Sequence, residues 1–312
     1  MPPGLDDAGI RPPAGPPGMT RQPPPAITVT MQTAVPQQPN PHMKVGIMGF
    51  GRAGRPVASV LLESKRTNLQ WVVRRSQRLV HRSVPEFLGI ESDEPGLIYT
   101  RDEFTAAELL DQHPVEAVVD FSSAEGLDFY GEECARRGIT IVSAISYYPE
   151  EQLARIRQLA ERTCVLHSPN ITLGINFLII AAKILRNIAP YTDIQIVEEH
   201  FKTKAEISGT AKIIARELEI EEEAIKSVRA GGIIGVHEIL FGFPYQTVRL
   251  KHESITREAF GNGILFALEN LRGRQRGFHT MEDLLLPFFK LRGTEEEFLK
   301  TNRKPWWQFW VR

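Results

Sequence analysis

Val45-Gly46-Ile47-Met48-Gly49-Phe50-Gly51-Arg52-Ala53-Gly54 is the stretch on which the fold of this chain turns. Its first four residues make a short apolar run of strand character. Glycines follow at the spacing Gly-x-Gly-x-x-Gly, and a helical pattern then begins with Val57, Val60, Leu61 and Leu62 on one face. Small residues at such a turn let a pyrophosphate approach the backbone N–H groups at a helix N-terminus. Glycine spacing alone also describes a plain strand-to-helix turn. The strand before, the helix after and the alternation downstream favour the phosphate-binding reading.

Downstream, Leu69–Val73, Leu97–Tyr99, Val115–Val119, Ile139–Val142 and Cys164–Leu166 read as strands, with helices through Cys134 and over Glu150–Arg162. Most of these strands are continuous apolar runs, which predicts a parallel sheet covered on both faces by crossover helices. Past Asn170 the rhythm changes. Leu173–Ile188 reads as a buried helix, Ile194–Val197 as a strand, and Gly209–Leu218 as a helix beginning at Ser208. After another short helix, Ile233–Phe243 and Gln246–Lys251 read as neighbouring strands, and Ile264–Leu271 as a helix. The fold class is therefore α/β: an N-terminal Rossmann-type parallel sheet for a dinucleotide, followed by an α+β domain.

Upstream, twelve of the 22 prolines fall in residues 1–42, which carry only four formal charges. Such a segment buries too little apolar surface to offset its ordering entropy, so a disordered arm is expected there. Across the chain, 37 Lys and Arg face 38 Asp and Glu, a net charge of −1 that argues against a nucleic-acid or membrane-surface binder. Cys134 and Cys164 cannot make a disulfide framework, and no Cys-x-x-Cys or His-Glu-x-x-His spacing offers a metal site. A reducing, cytoplasmic setting is expected. No run approaches the roughly 18 apolar residues of a membrane span, the amino terminus lacks a secretory pattern, and a transit peptide is weakly supported. Trp306, Trp307 and Trp310 crowd the last seven residues.

The turn residues Gly49, Gly51, Arg52, Ala53 and Gly54 are the expected pyrophosphate seat. About 20 residues beyond the last glycine, where NAD requires a carboxylate for its ribose hydroxyls, stand Arg74-Arg75-Ser76. Two cations and a hydroxyl suit the extra phosphate of NADP; elsewhere they would read as solvated loop residues. NADPH is the expected cofactor, ahead of NADH. Phe121 and Ser122 end the fourth strand, where open α/β sheets bind ligands, although Ser122 and Ser123 also suit a helix cap.

A second constellation is Glu198-Glu199-His200-Phe201-Lys202-Thr203-Lys204, followed by Ser208-Gly209-Thr210. A helix N-terminus with a hydroxyl makes a seat for a carboxylate, and His200 and Lys204 add a titratable acid and a cation. The same residues are equally ordinary at a strand end and a helix cap.

Taken together, the ordered blocks resemble dihydrodipicolinate reductase, the lysine-pathway enzyme that reduces 4-hydroxy-tetrahydrodipicolinate. The resemblance runs from Lys44 to Phe288. It rests on the glycine turn, Asp120-Phe121-Ser122, Ser168–Asn176, Glu198-x-His200 with Lys204, Ser208-Gly209-Thr210-Ala211 and Arg229-Ala230-Gly231. Gly235-x-His237-x-Ile239-x-Phe241 and the set His252, Arg257, Phe260, Gly263 complete it. It implies a metal-free enzyme, usually a homotetramer, with a small anionic substrate. Its divisions would be a Pro-rich arm (1–42), an NADP-binding domain (43–171) and a substrate-binding and oligomerisation domain (172–276). A segment (277–312) would return to the first domain and end in the Trp-rich tail. By that likeness His200 is the acid, Lys204 its helper, and Ser208, Gly209 and Thr210 hold a carboxylate, while Ala144, Ser146 and Asn170 border the cofactor.

Three departures qualify the likeness. Phe201 stands where the family has a second His, and one residue is missing between Lys204 and Ser208. An ungapped match would put Glu199 and Thr203 in the catalytic columns. The family's Gly-Thr-Thr-Gly loop is Ser143-Ala144-Ile145-Ser146, beside Tyr147 and Tyr148, and Gly232 and Val236 stand where acidic residues are common. Lost hydroxyls weaken a hold on the same polar ligand. The alternatives are thus a paralogue reducing a less polar imine or C=C substrate, or a catalytically silent NADP-binding scaffold.

Overall fold

Val45, Ile47 and Met48 are sealed from solvent because β1 (Met43–Met48) runs through the middle of a sheet. The structure, a computed structural model, describes residues 42–289; the proline-rich arm and the tryptophan tail lie outside them. Beside β1 stand β2 (Thr67–Arg74), β3 (Leu97–Thr100), β4 (Ala117–Asp120), β5 (Thr140–Ser143) and β6 (Cys164–His167). With a short strand at Gly277–His279 they form one seven-stranded sheet, ordered Gly277–His279, β6, β5, β4, β1, β2, β3. Every pair is parallel. Strand order reverses between β1 and β4, the switch point where such sheets bind ligands.

Five helices connect these strands: α1 (Gly54–Glu63), α2 (Val84–Leu88), α3 (Ala106–Gln112), α4 (Leu127–Arg137) and α5 (Glu150–Leu159). The sequence pattern leaves α2 and α3 unseen, since five and seven residues are too few to display a periodic apolar face. Caps define them instead. Ser83 accepts from the Glu86 N–H, and Thr105 and Glu108 make a reciprocal capping box.

The second sheet has four strands, β7 (Asp193–His200), β8 (Ile225–Arg229), β9 (Val236–Phe243) and β10 (Gln246–Glu253), in the order β10, β9, β7, β8. Helices α6 (Leu173–Ile188) and α7 (Gly209–Glu217) bury Ile175, Leu178, Ala211 and Ile214 against Ile194, Ile196, Ile239 and Phe241. The β8 strand is invisible in sequence because only Ile225 is buried along it. Parallel pairing with β7, rather than its own apolar pattern, makes it a strand.

The chain then returns to the first sheet. Helix α8 (Ala259–Leu271) buries Ile264, Ala267 and Leu268 in the same cluster as Val57 and Leu61, so the return begins ahead of residue 277. The Gly277–His279 strand, β11, joins β6, and α9 (Met281–Leu285) adds Met281 and Leu284 to that cluster. Lys183 on α6 pairs with Glu217 on α7 and, at 2.8 Å, with Glu282 on α9. The α1–α8 contact closes through Gly261, where a Cβ would lie 2.5 Å from the Val60 Cβ. Gly261→Val is expected to wedge the helices apart and lower the unfolding free energy by about 1–3 kcal/mol, read from urea denaturation. An unchanged midpoint would show that the contact yields freely.

No helix of the described residues is long and apolar enough to cross a membrane.

Candidate functional site

The glycine turn joins β1 to α1 at the switch point. Gly49 has φ +91°, and a Cβ there would stand 2.6 Å from the Phe121 carbonyl carbon. A Cβ on Gly54 would stand 1.8 Å from the Gly49 oxygen, so only glycine lets α1 start under the turn. The Gly51 position faces open space. Backbone bonds from Gly49 to Val73 and from Phe121 to Met48, both 2.8 Å, tie the ends of β1, β2 and β4 together. No side chain caps α1, but its Arg55 and Val57 N–H groups already donate to the Gly51 and Ala53 carbonyls and Pro56 has none, so a ligand at this turn meets the N–H groups that precede them.

Above the turn lies a cavity of about 440 Å³ lined by Gly49, Gly51, Arg74, Arg75, Ser76, Arg101, Phe121 and Ser122. Arg74 donates to the Arg78 carbonyl at 3.0 Å, yet its Nε, like that of Arg55, is buried without a partner. Burial, then the Arg55 and Arg78 charges, pull the Arg74 pKa below its ordinary value. A guanidinium so placed is stabilised by an anion, and no carboxylate lines this cavity. These residues fit a nicotinamide dinucleotide. Arg101, at the end of β3, carries no signal in sequence; pairing of β3 with β2 brings it here. Arg52 is exposed and lines neither this cavity nor the next.

Neither serine after β4 caps a helix. The Ser122 N–H and hydroxyl donate to Asp120 at 2.7 and 2.6 Å, and Tyr130 donates to the other oxygen at 2.8 Å. Burial nevertheless pushes the Asp120 carboxyl above its ordinary range.

A second cavity, about 630 Å³, shares Phe121, Ser122 and Ser123 with the first. Ala53, Ala144, Ser146 and Asn170 reach it from the first sheet and the linker. His200, Lys204, Thr210, His237, His252 and Arg257 reach it from the second half of the chain. Along β7, Ile194, Ile196, Glu198 and His200 are buried and face one side. Strand alternation puts Glu199 on the other.

Glu198 is fully buried. It accepts from Arg229 at 2.6 and 3.0 Å, from Ser227, and pairs with His200 Nδ1. Burial opposes its ionisation, but the bonds from Arg229, Ser227 and His200 hold its pKa down to about 2. A carboxylate only accepts, so His200 carries its proton on Nδ1 when neutral, and Nε2 is left over. A Cβ at Gly235 would lie 3.2 Å from that Nε2, so the glycine keeps it open to the cavity. Burial foremost draws the His200 pKa below 6.5, against the Glu198 carboxylate and with Lys204 and Arg229 assisting.

His237 packs edge-on to His200 with ring centroids 5.3 Å apart. Burial, then His200, bring its pKa down to about 3, so it is neutral. The Ser208 hydroxyl accepts from the Ala211 N–H at 3.0 Å as the cap of α7 and lies 2.8 Å from His237 Nε2. Its oxygen is thereby committed, and Ser208 does not line the cavity. The Thr210 hydroxyl is committed too, donating to Asn170 Oδ1 at 2.7 Å. What this end offers an anion is Lys204 and the first N–H groups of α7, with Gly209 exposed beside them. The 143–146 loop is anchored by Ser143 to the Tyr148 hydroxyl at 2.9 Å. Ile145 is largely buried in the core, while Tyr147 stands 76% exposed on the rim.

Thus the structure gathers His200, Lys204, Thr210, Asn170, Ala144 and Ser146 around one cavity, and Gly49, Gly51, Arg74, Arg75 and Ser76 around its neighbour. Glu198, Arg229, His237 and His252 belong to the site or its support but were not expected as site residues. The only signal for them in sequence is their place in the ordered blocks. Among the described residues no group of three or more His, Cys, Asp or Glu converges to hold a metal.

Comparison with known proteins agrees with this geometry. The models for the dihydrodipicolinate reductase N-terminus and C-terminus match residues 43–171 and 170–285. The 4-hydroxy-tetrahydrodipicolinate reductase of Caldanaerobacter subterraneus subsp. tengcongensis is 32% identical over 192 residues, 54% of this chain and 76% of the relative. That of Clostridium novyi is 29% identical over 238 residues, 67% of this chain and 93% of the relative. The dipicolinate-bound dihydrodipicolinate reductase of Paenisporosarcina sp. TG-14 superposes with a TM-score of 0.62 at 20% identity, covering 77% of this chain and 97% of that one. A glycine turn at the switch point, a polar cavity adjoining it and both family models spanning 43–285 lead to one assignment: the chain belongs to the dihydrodipicolinate reductase family of NAD(P)H-dependent oxidoreductases.

Proposed function

We propose that this protein is an NADPH-dependent reductase of a cyclic imine or enamine carboxylate of the hydroxy-tetrahydrodipicolinate type. The observation that carries the reading is the buried Glu198–His200 pair, set beside Lys204 and the start of α7 in a cavity adjoining the glycine turn. The nicotinamide, when bound, supplies the hydride. Lys204 and the α7 N–H groups orient the substrate carboxylate. His200 holds the proton that balances the hydride on Nε2, and an anionic substrate beside it favours the imidazolium that burial disfavours. Phe121, shared by the two cavities, and Ala144 and Ile145 give the larger one an apolar wall.

Arg74 supports NADPH over NADH, its Nε buried without a partner in a cavity free of carboxylates. Purified protein should oxidise NADPH with freshly generated hydroxy-tetrahydrodipicolinate. Arg74→Ala should raise the KM for NADPH about 10- to 100-fold, the worth of charged hydrogen bonds, and leave that for NADH unchanged. Preference for NADH in the wild type, with no effect of the substitution, would overturn the cofactor reading.

A second reading, a less polar imine or C=C substrate, is favoured by the apolar Ala144, Ile145, Tyr147 and Phe201 in the same cavity. Tight NADPH binding without turnover of hydroxy-tetrahydrodipicolinate would select it. If no imine or enamine is reduced either, the chain is a cofactor-binding scaffold.

A further inference from the structure

Behind His200 lies a polar knot that touches neither cavity. Glu198, fully buried, takes both terminal nitrogens of Arg229, the Ser227 hydroxyl and His200 Nδ1. Burying a carboxylate and a guanidinium is costly, and apolar residues of similar size usually serve stability as well. The arrangement therefore calls for a reason beyond packing.

The rest of the Arg229 fork supplies one. Its Nε donates to the Lys204 carbonyl at 2.9 Å and its Nη2 to the Glu206 carbonyl at 2.8 Å. One rigid guanidinium thus holds the carboxylate behind His200 and the backbone of the loop that carries Lys204. Register places it there. Glu198 pairs with Ser227 and His200 with Arg229 across the parallel β7–β8 contact, and the Ala230 and Lys202 amides extend that pairing past the strand ends. Only three residues, 205–207, separate Lys204 from the cap of α7, so the fork pins a loop with little slack.

We propose that Glu198 and Arg229 are positioning residues for the reduction: Glu198 fixes the His200 ring with Nε2 toward the cavity, and Arg229 sets the spacing between His200 and Lys204. This rests on the reading of His200 as the proton donor. The charged and titratable groups facing His200 are Glu198 on its own strand, Arg229 on β8, His237 on β9 and Lys204 on the following loop. Glu198 is the one among them that favours the imidazolium. Without its charge the His200 pKa falls, and the proton-donating form is populated only at lower pH.

Two readouts test the assignment. In histidine-labelled wild-type protein, ¹⁵N NMR should find neutral His200 protonated on Nδ1, a measurement that needs neither turnover nor a variant. Protonation on Nε2 instead would overturn the proposal. In steady-state assays Glu198→Gln should lower kcat about 100-fold, move the fall of activity with rising pH to lower pH, and leave the KM for NADPH unchanged. Arg229→Lys, which keeps the charge and loses the fork, should lower kcat about 10-fold without that pH displacement. An unmoved pH profile and tautomer in Glu198→Gln, or wild-type kcat in Arg229→Lys, would overturn it. Failure of the functional reading looks different: His200→Ala turns over like the wild type, while the wild-type protein still shows the Nδ1 tautomer.

Discussion

His200→Ala is expected to lose the reduction of hydroxy-tetrahydrodipicolinate, with kcat falling by about 10²–10⁴-fold, the range a positioned acid contributes, while NADPH binds as in the wild type. The ring stands in a cavity wall with Nδ1 engaged by Glu198 and Nε2 facing Gly235, which has no side chain to cover it. None of the groups around it replaces that function. His237 is held neutral and lies against the Ser208 hydroxyl, and Lys204 sits on the loop beyond the strand. The measurement is NADPH oxidation at 340 nm paired with a fluorescence titration of the cofactor. Undiminished turnover would remove His200 from the reaction. Loss of NADPH affinity together with turnover would mark the substitution as structural.

Gly49→Val is expected to weaken the Kd for NADPH by more than about 100-fold and to destabilise the protein as well. Its left-handed φ, +91°, is strained for any side chain and worst for a β-branched one. The new Cβ would also stand 2.6 Å from the Phe121 carbonyl carbon and 2.7 Å from the Ser122 nitrogen, so the turn must open. Gly51→Ala separates the two effects. Its Cβ meets no protein atom, so the thermal midpoint should hold while NADPH binding weakens, because the methyl enters the space above the turn. NADPH affinity unchanged in Gly51→Ala would show that the phosphates sit elsewhere.

Much of the fold was legible because its elements are periodic or continuous in apolar residues. The α6 helix spans Leu173–Ile188 as its apolar run indicates, and Ser208 caps α7 as its position before Gly209 indicates. The β8 strand was not legible, since Lys226, Ser227 and Val228 are exposed and only pairing with β7 makes them a strand. Nor was the role of α8, whose apolar face suits either sheet; its contact with α1 through Gly261 is a packing fact. In the site, spacing along one segment marked His200 and Lys204 as neighbours. It gave Ser208 and Ser122 both cap and ligand roles; in the fold the Ser208 hydroxyl caps α7 beside His237, and the Ser122 hydroxyl donates to Asp120 at the edge of both cavities.

The parallel sheet, the glycine turn, the family and the segment that bears His200 are thus written in the sequence. Each is written in residues close together along the chain, where helix and strand periods and the conformational freedom of glycine act directly. How that histidine is held is a matter of the tertiary structure alone. Arg229 is 31 residues from Glu198, and His237 is 29 from Ser208. Contacts of that separation form when strands pair in register and a carboxylate is buried deeply enough to require every partner it has. No local pattern records that requirement.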